Sequence, residues 1–159
     1  MIELYTDGAS KGNPGPGGYG VILKYKAHRK ELCGAFQCTT NNRMELMAVI
    51  VGLEAIKAPR QQVFVYSDSK YVVDAVCKGW LRAWLRKNFI NKKNADLWKR
   101  LWTVYQRHVV HFKWIKGHAG HPENERCDQL ATQSVERTSA ACVDDGYTNQ
   151  HVSCSLPKQ

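Results

Sequence analysis

The chain has 159 residues and a formal net charge of +9, from 23 Lys and Arg against 14 Asp and Glu. That length suits one domain with a buried core, and no stretch is long and apolar enough to span a bilayer. A basic surplus of this size argues for a polyanionic partner, nucleic acid first, provided the charges cluster. Met1-Ile2-Glu3-Leu4 enters a strand-like run directly, without the basic start and apolar middle of a secretory leader, so the chain is expected to act in the cytoplasm. Six cysteines (Cys33, Cys38, Cys77, Cys127, Cys142 and Cys154) show no Cys-x-x-Cys pair and no zinc spacing, and are expected to be reduced thiols.

In chain order, Ile2 to Thr6 alternates as a strand and meets a turn signal at Asp7-Gly8. The run Gly12-Asn13-Pro14-Gly15-Pro16-Gly17-Gly18 is incompatible with helix or central strand. Tyr19 to Tyr25 and Lys30 to Cys38 read as strands two and three of an antiparallel meander. A helix follows Thr39-Thr40-Asn41-Asn42, with Leu46, Ile50 and Leu53 on one face. Val63 to Ser67 is a buried strand, and the right-handed crossover rule makes it parallel to one already in the sheet. Helices are predicted from Ser69 to Cys77 and from Asp96 to Arg107, a strand from Val109 to Ile115, and a last helix from Glu123 to about Val135. The catalytic unit is expected over 1–137, with a basic protrusion at about 78–95. A tail over 138–159 should be largely disordered, with Tyr147 docked.

Four acids stand out. Asp7 and Asp68 end strands that would meet at one sheet edge if parallel, where open α/β sheets place their sites. Glu45 lies in the first turn of the intervening helix and Asp128 within the last one. Taken singly, each has an ordinary structural reading: Asp7 as a turn residue, Glu45 in a capping box, Asp68 as a helix cap, Asp128 on a solvated face. Taken together, converging carboxylates repel unless a cation compensates. Oxygen-only ligands suit Mg²⁺, with Mn²⁺ as a substitute, and two such ions about 4 Å apart support phosphoryl transfer.

The words around these acids are more specific than their spacing. They are Tyr5-Thr6-Asp7-Gly8-Ala9 with the glycine run, Thr39-Thr40-Asn41-Asn42-Arg43-Met44-Glu45-Leu46-Met47, Tyr66-Ser67-Asp68-Ser69, Asn94-Ala95-Asp96-Leu97-Trp98, and Trp114-Ile115-Lys116-Gly117-His118-Ala119-Gly120-His121-Pro122 leading to Asp128. In order and spacing they resemble bacterial-type ribonuclease HI over roughly residues 2 to 135. The resemblance implies an α/β ribonuclease H-like fold, a five-stranded mixed sheet of order 3-2-1-4-5 flanked by helices. It implies endonucleolytic cleavage of the RNA strand of RNA–DNA hybrids by a two-metal-ion mechanism, leaving 5′-phosphate and 3′-hydroxyl ends, in a protein acting as a monomer without membrane attachment.

By position in those words, Asp7, Glu45, Asp68 and Asp128 match the metal-binding quartet, and His118 matches the histidine of a mobile loop that assists proton transfer or product release. Glu125, one turn before Asp128, is expected to support it. Ser10, Asn13 and Asn41 match positions approaching the RNA strand, where the 2′-hydroxyl must be read. Thr40, Arg43 and Asn94 match phosphate-holding positions. Lys70 stands where the family often has glutamine and is counted with the substrate contacts. Trp80 and Trp84, four residues apart on one helix face, with Arg86 and Lys87, resemble the family's basic protrusion and suit a surface that tracks a DNA backbone. The loop from Trp84 to Asn94 is shorter than in familiar members, and Ala9 replaces a frequent serine. A junction resolvase or integrase-like nuclease of the same fold fits the words around Asn41 and His118 less well. A non-cleaving hybrid-binding module would be expected to lack one of the acids, and a domain detached from a reverse transcriptase would not be expected to keep the whole arm.

Overall fold

A computed structural model describes residues 1–137 and 143–148. Five strands form one mixed sheet: β1 (Ile2–Ser10), β2 (Gly15–Tyr25), β3 (His28–Thr39), β4 (Gln62–Ser67) and β5 (Val109–Trp114). Their order is β3-β2-β1-β4-β5, as expected. The first three are antiparallel, while β4 runs parallel to β1 and β5 parallel to β4. The helices are α1 (Asn41–Glu54), α2 (Lys70–Cys77), α3 (Trp80–Arg86), α4 (Ala95–Tyr105), α5 (Pro122–Glu136) and α6 (Asp145–Thr148).

Strands β1 and β2 run longer than their sequence patterns indicate. The parallel pairing of β1 with β4 stops at Thr6 opposite Ser67. The antiparallel pairing with β2 continues to Ser10 opposite Gly17, so Asp7 lies within a strand rather than at a turn. The glycine run, read as loop, enters the sheet at Gly15 because close approach requires glycine there. A Cβ on Gly18 would lie 2.6 Å from the Ala131 carbonyl oxygen, and one on Gly20 would strike the Cys127 carbonyl oxygen at 2.2 Å. Helix α5 therefore sits directly on the backbone of β2. Gly20→Ala is expected to destabilise the fold by about 2 kcal/mol, since backbone cannot move aside cheaply; urea denaturation measures the loss.

Helix α1 is buried almost all round rather than along one stripe, from Arg43 to Ile50 with Gly52 and Leu53. It lies between the sheet and α4, and a main core of Leu4, Val21, Leu46, Ile50, Val65, Trp98 and Leu101 fills that side. A smaller cluster of Ile22, Cys127 and Leu130 lies under α5. Strand alternation explains the division: Leu4 and Val21 face α1 at Gly52, whereas Gly20 and Ile22 face α5.

One expectation needs correction. Cys38 is disulfide-bonded. Cys33, Cys77 and Cys127 are free, so its partner is not among the described residues. Spacing along the chain carries no signal for such a pairing. In the carboxyl-terminal segment Tyr147 is docked, as expected, at 6% exposure, and Asp144 beside it is buried to 4%. Residues 138–142 and 149–159 lie outside the described residues.

Candidate active site

The acids meet where β1 and β4 part. Beyond Thr6 and Ser67 the two parallel strands no longer pair, and the next residue on each is an aspartate, Asp7 and Asp68. Glu45 enters from the first turns of α1. A Cβ on Gly8 would lie 2.5 Å from the Glu45 amide nitrogen, so α1 packs against β1 with no room for a side chain. One carboxylate oxygen from each of Asp7, Glu45 and Asp68 lies within 4.8 Å of the others.

The ordinary structural roles for these acids are taken by other residues. Thr40 caps α1, its hydroxyl accepting from the Arg43 amide, and Ser69 caps α2, accepting from the Val72 amide. Asp7 is 6% exposed, Glu45 5%. Asp7 accepts a 3.0 Å hydrogen bond from the Gly8 amide. Burial first, then the charge of Asp68, pushes its carboxyl up to about 8. Glu45 is raised too, by burial and then by Asp7 and Asp68, and its Oε2 is buried without a partner. An orphaned carboxylate oxygen among three crowded acids fits a hard divalent cation bound by oxygen.

Asp128 is half-buried on α5, outside that tight trio, though its charge contributes to the rise at Asp7. Glu125 is exposed one turn earlier. His118 is exposed on the loop between β5 and α5, with a left-handed φ of 54°. The backbone of that loop reaches the acids at Gly117, where a Cβ would lie 2.6 Å from Asp68 Oδ2.

Among the expected substrate residues, Asn13 and Asn41 are brought together across the end of the sheet. The Asn13 side-chain oxygen accepts from the Asn41 amide at 3.1 Å, and both residues are exposed. Ser10 and Thr40 flank them, each half-buried. Asn94 occupies the N-cap position of α4 but makes no side-chain capping bond. Its amide donates to the Tyr71 hydroxyl at 3.0 Å, and its carbonyl accepts from Arg43 at 3.3 Å.

Arg43 is not available to a phosphate. It is 1% exposed, paired bidentately with Asp96 (2.9 and 2.7 Å) and twice with Asp144 (2.9 and 2.9 Å). Asp144 also accepts from the Thr39 hydroxyl at 2.6 Å. The sequence reading missed this network because Asp144 lies 101 residues beyond Arg43; a buried arginine in an apolar helix was the available signal.

On α3, Trp80 projects at 45% exposure, while Trp84 turns in, edge-on to Trp98 at 5.2 Å. Lys78 lies over Trp80 and Lys92 over Trp84, and Arg86 and Lys87 are exposed. The loop from Trp84 to Asn94 is pinned by Phe89, which is buried in the main core. Lys70, also exposed, lies 5.0 Å from the ring centre of Trp114.

The topology and the acidic trio at the parting of the two central parallel strands define an α/β enzyme of ribonuclease H-like fold. The comparisons agree. A family model described as RNase H matches residues 1–136. A ribonuclease H of Desulforamulus reducens is 57% identical over 141 residues, 86% of this chain and 88% of the relative. One from Shewanella halifaxensis is 53% identical over 155 residues, 94% of each chain. The crystal structure of LC9-RNase H1, described as a type 1 RNase H with the type 2 active-site motif, is 31% identical with a TM-score of 0.79, covering 94% of this chain and 79% of that one. The chain belongs to the ribonuclease H family.

Proposed function

We propose that this ribonuclease H hydrolyses the RNA strand of RNA–DNA hybrids at a centre held by Asp7, Glu45, Asp68 and Asp128, with Mg²⁺ as the working metal and Mn²⁺ as a substitute. The observation that carries the reading is the buried, unpartnered Glu45 oxygen within a trio of carboxylates. Two bound divalent ions would supply the acidity that activates water and stabilises the leaving oxygen, giving 5′-phosphate and 3′-hydroxyl ends. Asp7, Glu45 and Asp68 form the inner ligand set, and Asp128 completes it from α5. His118, exposed on its loop, takes up or returns a proton at an imidazole nitrogen.

Ser10, Asn13 and Asn41 lie at the end of β1 and the start of α1, beside the acids, and short polar groups there suit the ribose 2′-hydroxyl. Thr40 and Asn94 hold phosphates, while Arg43 acts indirectly by orienting Asn94. Trp80, Arg86 and Lys87 on α3 follow the DNA backbone, with Trp84 supporting the arm from beneath. The enzyme is proposed to work as a monomer in the cytoplasm, where the Cys38 disulfide would be expected to open. No helix among the described residues is long and apolar enough to cross a membrane.

The deciding experiment presents labelled RNA–DNA, RNA–RNA, DNA–DNA and single-stranded RNA with Mg²⁺, with and without chelator. Cleavage of the hybrid's RNA alone, and only with metal, is expected; metal-independent cutting would overturn the reading, and so would equal cutting of RNA–RNA. Removing two phosphate-facing cations, in Arg86→Gln with Lys87→Gln, should weaken hybrid binding and reduce the slope of log affinity against log salt by up to about 2. Binding titrations at several salt concentrations measure that slope, and an unchanged slope would detach α3 from the substrate surface.

A further inference from the structure

Trp114 ends β5 with 42% of its surface exposed, although a large core lies nearby. Its contacts show what holds it there. The indole Nε1–H donates to the main-chain oxygen of Asp68 at 3.0 Å. Lys70 lies over the ring, 5.0 Å from its centre. The following residue continues the parallel ladder, with the Ile115 amide donating to the Ser67 oxygen at 2.9 Å. Two residues later, Gly117 packs so closely on Asp68 that a Cβ would lie 2.6 Å from Oδ2 and 3.4 Å from the Asp68 Cβ. Asp68 is therefore held at its carbonyl by Trp114 and backed at its carboxylate by Gly117, and His118 is the next residue along.

We propose that Trp114 and Gly117 are positioning residues that fasten Asp68 and the His118 loop to one another, with Lys70 bracing the indole. This inference rests on the reading that Asp68 holds metal. Asp68 begins the link between β4 and α2, beyond the last ladder pair, so its own strand does not fix it. An aspartate free to turn would spend only part of its time facing Asp7 and Glu45. Fastening it from the neighbouring strand restricts its orientation before metal arrives, and preorganisation of this kind raises affinity by lowering the ordering cost. The same fastening keeps the backbone of the histidine loop against the site while leaving the imidazole exposed.

The test uses Trp114→Phe, which keeps a ring for Lys70 but removes the N–H, and Gly117→Ala, which sets a methyl against Oδ2. Mg²⁺ binding without substrate is measured by calorimetry, kcat and KM on a hybrid by steady-state kinetics, and folding by the melting temperature. Trp114→Phe should weaken Mg²⁺ binding and lower kcat roughly five- to ten-fold, the weight of one lost hydrogen bond. KM for the hybrid should remain near that of the parent protein. Gly117→Ala should weaken Mg²⁺ binding further. The melting temperature of Trp114→Phe should scarcely move, because its ring is half exposed. Parent-like Mg²⁺ binding and kcat in both variants would overturn the proposal. A raised KM with Mg²⁺ affinity unchanged would also overturn it, assigning Trp114 to the substrate surface. Asp7→Asn is measured alongside. If it too binds Mg²⁺ as the parent does, the carboxylate-centre reading fails; if it loses binding while Trp114→Phe does not, only the fastening fails.

Discussion

Asp7→Asn is expected to abolish hybrid cleavage and at the same time to stabilise the metal-free protein. The two effects share one cause. Burial first, then the charges of Asp68 and Asp128, outweigh the hydrogen bonds from Glu45 and Gly8 and raise the Asp7 carboxyl to about 8. In the unfolded chain it titrates near its ordinary value of 3.8. Between those values the folded state binds the proton that the unfolded state has lost, and stability falls as pH rises through that window. Below the lower value both states are protonated and the penalty vanishes. Near pH 8 the asparagine variant should therefore be more stable than the metal-free parent by about 2 kcal/mol, or roughly 5 °C in melting temperature. The gain should shrink towards pH 4, and it should shrink when Mg²⁺ is added to the parent, because a bound cation removes the repulsion. Thermal melts across pH, with and without metal, together with a cleavage assay, check both halves. Parent-like cleavage in Mg²⁺ would remove Asp7 from the catalytic set.

Arg43→Met should be among the most destabilising single substitutions on α1. It removes the cation from between Asp96 and Asp144, taking the guanidinium away from the latter carboxylate, which is 4% exposed. Breaking a buried pair from one side costs roughly 3–5 kcal/mol. Its pH dependence should identify the mechanism. In the parent, burial pushes Asp96 up but the hydrogen bonds and charge of Arg43 outweigh it, holding the carboxyl below its ordinary value. That stability is present above the unfolded value and is lost as pH falls through the folded one. In the variant Asp96 loses the hydrogen bonds and charge that hold it down while its burial stays, so mild acid should relieve the strain rather than add to it. Denaturation midpoints at pH 7 and pH 5 measure the reversal; a variant that weakens in mild acid as the parent does would show that the ion pairs contribute little.

The strand order and the acidic trio were both legible in the sequence, but for different reasons. The period-two run at Ile2–Thr6 and the apolar Val63–Ser67 stretch mark their strands by hydrophobic pattern alone. The acids carried no such mark. Each of Asp7, Glu45 and Asp68 sits where capping or turn chemistry would also put an acid, and only the surrounding words separated the readings. The structure shows the physical counterpart, with Thr40 and Ser69 doing the capping. What stayed hidden were properties of pairs far apart in the chain. Gly18 read as loop because the helix it admits lies about a hundred residues away. Arg43 read as a phosphate ligand because its true partners, Asp96 and Asp144, come from α4 and the carboxyl-terminal segment. Nor does chain position show that the Asn94 side chain is turned to Tyr71 and Arg43.

The division of the interior into two unequal cores has a bearing on how this enzyme can change. Glu45 is carried by the helix on one side of the sheet and Asp128 by the helix on the other, while Asp7 comes from β1 and Asp68 directly follows β4. The distance between a helix and the sheet is thus also a distance between the proposed metal ligands. On the α5 side that spacing is set by backbone against glycine, at Gly18 and Gly20, and has no slack in either direction. On the α1 side Gly8 sets it beside Glu45, and further along the helix it is set by aliphatic side chains such as Leu4, Val21 and Leu53, which can exchange volume with one another. Sequence drift should therefore accumulate in the large core away from Gly8 with little effect on catalysis. The thin seam beneath α5, though it buries far fewer side chains, should behave as part of the active site.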